Sequence, residues 1–220
     1  ELVSGYVADG KHAGAVAMVV RNGRIVDWQT WGAANLATGK PIAKDSIFRI
    51  YSMTKIVTAV SALQLFEQNK LQLNQPVTDF IPELKGLKVF AGGTADAPKL
   101  EDLKTPITIK MLLNHTAGFS YDIFEGSPVH ELYKRADLWS ANSLDEFITK
   151  AAKLPLIAQP GTAYNYSISD DALGLVVQRA SGMPFEEVLA RNITGPLKMT
   201  DTAFHVPDEQ LHRVVTIYQQ

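Results

Sequence analysis

Ser52-Met53-Thr54-Lys55 opens an apolar run from Ile56 to Phe66. Three residues apart on a helix, a hydroxyl and an amine share one face and lie within reach of each other. A serine hydroxyl is a weak nucleophile until a neighbouring base takes its proton. A lysine is such a base once burial lowers its pKa. The tetrad therefore suits acyl transfer through a serine ester without a histidine. On the tetrad alone the commoner case is blander: a serine N-cap followed by a surface lysine. Against that reading, a cation in the first helical turn faces the positive end of the helix dipole.

Upstream, residues 1–9 read as the end of an amphipathic helix. Two apolar runs, Ala15 to Val20 and Ile25 to Trp31, flank Asn22-Gly23. Both of those turn positions tolerate φ > 0, so the pattern predicts an antiparallel hairpin. Pro41 to Ile50 is an extended approach to the tetrad. Downstream the chain reads as mostly helical. Ser52 to Asn69 is apolar nearly all round, which predicts a buried helix. Residues 71–104 read as loop-rich, and the Gly86 and Gly92-Gly93 region as plain loop. Thr108 to Asn114 is a short helix, and Ser143-Leu144-Asp145-Glu146 is a capping box opening a helix to about Lys153. Pro160-Gly161 is a turn. Asp170 to Ser181 is a helix stopped by Gly182, and Pro184 opens another, to about Asn192. Two strands alone make a marginal sheet, so either the helices cover the hairpin or further strands belong to it.

The chain has 220 residues, 46% hydrophobic and 20% charged, with net charge −2. That balance is globular and gives no electrostatic reason to expect nucleic acid or an anionic membrane as a partner. The absence of cysteine excludes disulfides, thiol catalysis and cysteine-ligated metals. No apolar run approaches membrane-spanning length. Cytoplasm and periplasm both stay open.

Six collinear blocks together resemble the serine β-lactamase and penicillin-binding-protein superfamily, in its class C branch, with family VIII carboxylesterases nearest. They are Gly14 to Trp31; Phe48-Arg49-Ile50-Tyr51 with the tetrad; Leu73-Asn74-Gln75-Pro76-Val77 with Phe80-Ile81-Pro82; Ile107 to Gly118, ending His115-Thr116-Ala117-Gly118; Pro160-Gly161 through Tyr166-Ser167; and Gly195 to Thr202. The resemblance implies an α/β (α+β) fold with an antiparallel sheet flanked by helices and a mostly helical subdomain. Residues 1–50 would supply the N-terminal helix and hairpin, and residues 51–220 the helical part. It implies Ser52 as the acylated nucleophile, Lys55 assisting its deprotonation, and Tyr166 as the phenol that acts as general acid and base. The Ser52 backbone N–H would be half of an oxyanion hole. No cofactor or metal is implied. The substrate would be a small ester, with a β-lactam as the alternative.

Two departures from the family pattern matter. Its Tyr-x-Asn reads Tyr166-Ser167-Ile168 here, which removes an amide and favours esterase over lactamase. A D-amino-acid peptidase, an acyl transferase and a non-catalytic penicillin-recognising protein are the other readings. The third motif, on a later strand, is not found after Met199. The expectation is an N-terminal portion whose remaining strands lie beyond residue 220 or in a second chain.

His115 reads as a structural turn residue, since the chain has no Gly-x-Ser-x-Gly elbow. No histidine spacing suits zinc. Phe119, Tyr121, Phe124, Tyr133 and Trp139 form an aromatic-rich stretch, read equally as packing or as an acyl pocket. Tyr121 and Phe119 are the predicted substrate contacts. Asp170-Asp171 is explained by its place at a helix start, where anions are favoured.

Overall fold

The computed structural model describes residues 1–218. The chain divides into two compact units, Ser52–Thr200 and, flanking it in sequence, Glu1–Tyr51 with the segment from Asp201 onward.

The flanking unit begins with α1 (Leu2–Ala8), then β1 (Gly14–Arg21) and β2 (Arg24–Asn35), joined by the predicted two-residue turn. Asn22 and Gly23 take φ of 52° and 72°, the pair of positive values that matches hairpin twist. A bulge interrupts the register between Val19 and Val20. A two-residue strand, β3 (Lys40–Pro41), pairs with β2, so the sheet order is β1-β2-β3. Met18, Val19, Val20, Ile25 and Val26 stay exposed on the hairpin. The sequence reading grouped residues 201–220 with the helical part; the described portion packs here instead. Ile47 N–H donates to Arg213 O at 2.9 Å, Val215 N–H to Ile47 O at 3.0 Å, and Thr216 N–H to Ala34 O at 2.9 Å. The Arg213 guanidinium bonds the Asp45 carbonyl and the Asp201 carboxylate. These are backbone and ion-pair contacts, which carry no hydrophobic period to read from sequence.

The Ser52–Thr200 unit holds the core. Its elements are α2 (Thr54–Glu67), β4 (Lys88–Gly93), β5 (Pro98–Asp102), α3 (Ile109–Leu113), α4 (Pro128–Arg135), α5 (Leu144–Ala151), α6 (Ser169–Ser181) and α7 (Phe185–Leu189), the last running on into a wider helical turn over Ala190–Thr194. Helix α6 is buried along most of its length, from Ala172 to Val177. Helix α2 packs against it. The face α2 buries is Thr58, Ser61, Ala62 and Leu65; the first three are small side chains that allow close approach. Thr58 and Ser61 hydroxyls donate to carbonyls four residues back, at 3.1 Å each, so burying them leaves no unpaired donor. Ile56, Val60 and Leu63 are exposed. The helix predicted to be buried all round is therefore buried on one face, and two polar residues, Thr58 and Ser61, lie on that face.

Residues 71–104 are not all loop. Strands β4 and β5 pair antiparallel from Lys88↔Asp102 to Gly93↔Pro98. A register shift between Phe90 and Gly92 breaks the alternation that would have announced a strand. The hairpin is tied down where Leu156 donates to Lys88 O at 2.8 Å and Phe90 N–H donates to Leu156 O at 2.9 Å. Helix α4 also went unread, although Ser127-Pro128 is a cap followed by proline at the first turn, and Ser127 Oγ accepts from Val129 N–H. The predicted cap at Ser143 is present: its Oγ accepts from Glu146 N–H at 3.1 Å. Glu146 reaches back to Asn142 N–H rather than to Ser143.

Candidate active site

Ser52 lies in a single 3-10 turn, Tyr51–Met53, directly before α2. The N-cap position falls on Met53, with no side-chain cap, so the Ser52 hydroxyl is not engaged in capping. Tyr51 has φ 42°, a conformation a bulky residue holds only under constraint. Ser52 itself is exposed and Lys55 half-buried.

Two groups converge on Ser52 Oγ. The Tyr166 hydroxyl donates to it at 2.5 Å and Lys55 Nζ at 3.4 Å. Lys55 Nζ also lies 4.9 Å from the Tyr166 ring centroid and 5.7 Å from that of Tyr121, within cation–π range of both.

Tyr166 is carried to this point by backbone pairing. Ile157 N–H donates to Gly118 O at 2.8 Å, Gly161 N–H to Thr116 O at 2.8 Å, Asn165 N–H to His115 O at 2.8 Å, and Ile168 N–H to Ser120 O at 3.3 Å. The segment 115–120 thus forms a rail for the segment 157–168. Gly118 has φ 88°, and a Cβ there would stand 2.2 Å from Ala158 O; only glycine permits the approach.

The aromatic stretch forms a ladder outward from Tyr166. Tyr121 stacks on Tyr166 at 5.8 Å with 7° between planes, and Trp139 stacks on Tyr121 at 5.8 Å and 29°. Trp139 is exposed, braced by Phe147 at 5.2 Å and by its Nε1–H donating to Asp122 at 2.7 Å. Burial, and then the negative charge of Asp171, push the Tyr121 phenol up, so it stays protonated as a neutral donor. Phe119 is a correction. It is fully enclosed in the core, in an unbroken buried run from Ala117 to Ser120, with no surface for a substrate to touch. Ile168, at the position of the family's amide, is likewise enclosed, at 1% exposure.

Three polar groups set aside in the sequence surround this centre. His115 Nε2 lies 3.2 Å from Asp170 Oδ2, with the two side chains 12% and 9% exposed. The contact is at ion-pair distance without hydrogen-bond alignment, since Asp170 Oδ2 and His115 Nδ1 are both buried without a hydrogen-bond partner. The Asp171 carboxyl is pushed up to about 6 by burial, opposed by the charge of Lys55 and reinforced by Asp170. Both aspartates do sit in the first turn of α6, where the dipole favours them. The available signal was their spacing, four and five residues past Tyr166. Among the described residues no three His, Asp or Glu side chains come together as a metal site.

A family model described as Beta-lactamase matches residues 1–220. Esterase EstB of Burkholderia gladioli is 34% identical over 197 residues, covering 87% of this chain and 47% of that protein. Acyltransferase mokF of Monascus pilosus is 32% identical over 223 residues, covering 94% of this chain and 53% of that protein. Among solved structures, EstCE1, a hydrolase with promiscuous acyltransferase activity, matches with a TM-score of 0.82 at 28% identity, over 98% of this chain and 54% of that one. The chain spans about half the length of these relatives.

Proposed function

The chain belongs to the β-lactamase family, and from that premise we propose that it carries the acylation centre of a serine hydrolase acting on carboxylic esters. The observation that carries this reading is the convergence of Tyr166 and Lys55 on Ser52 Oγ. Ser52 Oγ attacks the ester carbonyl carbon while its proton passes to the Tyr166–Lys55 pair, treated as one coupled acid–base unit. The oxyanion forms beside the Ser52 backbone N–H. Collapse breaks the bond to the alkoxy oxygen, and the pair returns the proton to the departing alcohol. Water then attacks the acyl carbon, again through the pair, releasing the acid and restoring the serine hydroxyl.

The buried Ile168 in place of an amide favours an ester over a β-lactam or D-amino-acid peptide. Tyr121, a stacked and protonated phenol beside Lys55, is the substrate contact in this reading. A second reading replaces water by an alcohol acceptor; it is favoured by the acyltransferase activity that the names of mokF and EstCE1 state.

Turnover of p-nitrophenyl esters by the native-length protein tests the proposal. Ser52→Ala is expected at background, and Lys55→Ala and Tyr166→Phe at least about 100-fold down in kcat/KM. Undiminished turnover by Ser52→Ala would sink it and move a pure binding role ahead.

A further inference from the structure

We propose that His115 and Asp170 form a positioning pair for Tyr166, clamping its ring so that the phenol stays in line with Ser52; the inference rests on the acylation reading above.

His115 touches Tyr166 in two ways. Its carbonyl accepts the N–H of Asn165, the residue beside Tyr166, at 2.8 Å. Its imidazole lies against the Tyr166 ring, centroids 4.8 Å apart and planes 40° apart. Tyr164 closes the other side of the imidazole edge-on, at 5.7 Å and 72°. The histidine ring is thus held between two tyrosines of the segment it pairs with.

Asp170 completes the loop. It lies four residues beyond Tyr166, in the first turn of α6, and its Oδ2 faces His115 Nε2 at 3.2 Å. A chain of contacts therefore runs from Tyr166 through the helix start to Asp170, across to His115, and back to the Tyr166 ring. The imidazole is not aimed at Ser52: its Nε2 faces the carboxylate, and its Nδ1 is buried without a hydrogen-bond partner. His115 acts on the reaction through Tyr166. Its own backbone is left-handed, φ 56°, a state costly for most side chains and tolerated by asparagine and histidine. Buried polar atoms left without aligned partners, in a residue held off the common backbone regions, are the kind of local cost that collects at functional sites.

The lever is long. The Tyr166 hydroxyl is at the far end of its side chain, so a ring tilt of about 10° moves it by about 1 Å, a displacement that costs about 100-fold in rate.

The test is the inactivation kinetics of the native-length protein with a fluorophosphonate, in which Ser52 Oγ bonds phosphorus and fluoride leaves. His115→Asn keeps the left-handed backbone but is too short to reach Asp170 and has no ring. It is expected to lower kinact per folded molecule about 100-fold with KI within about threefold. His115→Gln, whose amide N–H reaches as far as Nε2, is expected to recover about tenfold of that loss, and Asp170→Asn to fall between the two. Thermal melting of each variant gives the folded fraction. Labelling by His115→Asn within about twofold of wild type, while Ser52→Ala stays unlabelled, overturns the positioning pair and leaves the acylation reading standing. A loss that follows only the loss of folded protein overturns it too, and equal losses in the Asn and Gln variants overturn the part assigned to Asp170. A wild type that takes no label overturns both readings.

Discussion

Ser52 and Lys55 were legible because their meeting is local: three residues on one helical turn bring the two groups together whatever the rest of the chain does. Tyr166 lies 114 residues from Ser52, and only the family resemblance connected them. His115, Asp170 and Asp171 were set aside because each had a sufficient local explanation, a turn or a helix start, and a local explanation hides a tertiary meeting. Asp171 carries a measurable consequence. Its carboxyl stands at about 6 in the folded chain against an ordinary value of 3.8. A raised folded pKa favours folding fully below about pH 4, and that contribution is lost as pH rises through about 6. Asp171→Asn is therefore expected to stabilise the protein at about pH 7, by up to about 2 kcal/mol, with the gain vanishing below about pH 4. Urea titrations at the two pH values check this; an equal effect at both would contradict the burial argument.

The elements that were read correctly are those with a mechanism written into adjacent residues: the Asn22-Gly23 turn, the Ser143 cap, the Gly182 stop. Helix α4 was missed despite such a signal at Ser127-Pro128; the other misread elements lack one. Strands β4 and β5 lose their alternation at a bulge, and α2 buries Thr58 and Ser61 while Ile56, Val60 and Leu63 stay exposed. One contact ties three elements together. The Arg179 guanidinium on α6 bonds Glu83 at 2.7 and 2.8 Å, Asp145 on α5 at 2.6 Å and the Phe80 carbonyl at 2.9 Å. The hydrogen bonds from Arg179 hold the Glu83 carboxyl down at about 2. A depressed folded pKa stabilises above the ordinary value of 4.5 and is lost as pH falls through about 2. Arg179→Ala is expected to lower stability at about pH 7 by roughly 1–3 kcal/mol, a range that allows for partial exposure. The wild type should lose this margin on acidification below about pH 4.5, and the variant should have none to lose. An unchanged urea midpoint in the variant would show that α5, α6 and the Glu83 turn hold without the clasp.

For the whole molecule, the fold class was legible from the order of six blocks rather than from any one of them. Composition and charge bounded only the broad class. The structure divides the chain between Tyr51 and Ser52 and again between Thr200 and Asp201. The return of the chain at Asp201 to the first unit rests on backbone pairing and on Arg213, neither of which leaves a periodic trace. Ser52, Lys55, His115, Tyr121, Tyr166, Asp170 and Asp171 all belong to the Ser52–Thr200 unit, so the proposed acylation centre is assembled within one core.

The most direct test of that centre is to mix the native-length protein with p-nitrophenyl butyrate, quench in acid within the first turnovers, and map the peptides by mass spectrometry. The account predicts a butyryl group on the peptide containing Ser52, absent from Ser52→Ala. Ester turnover with the acyl group on another residue, or with none on Ser52 at any quench time, would contradict it.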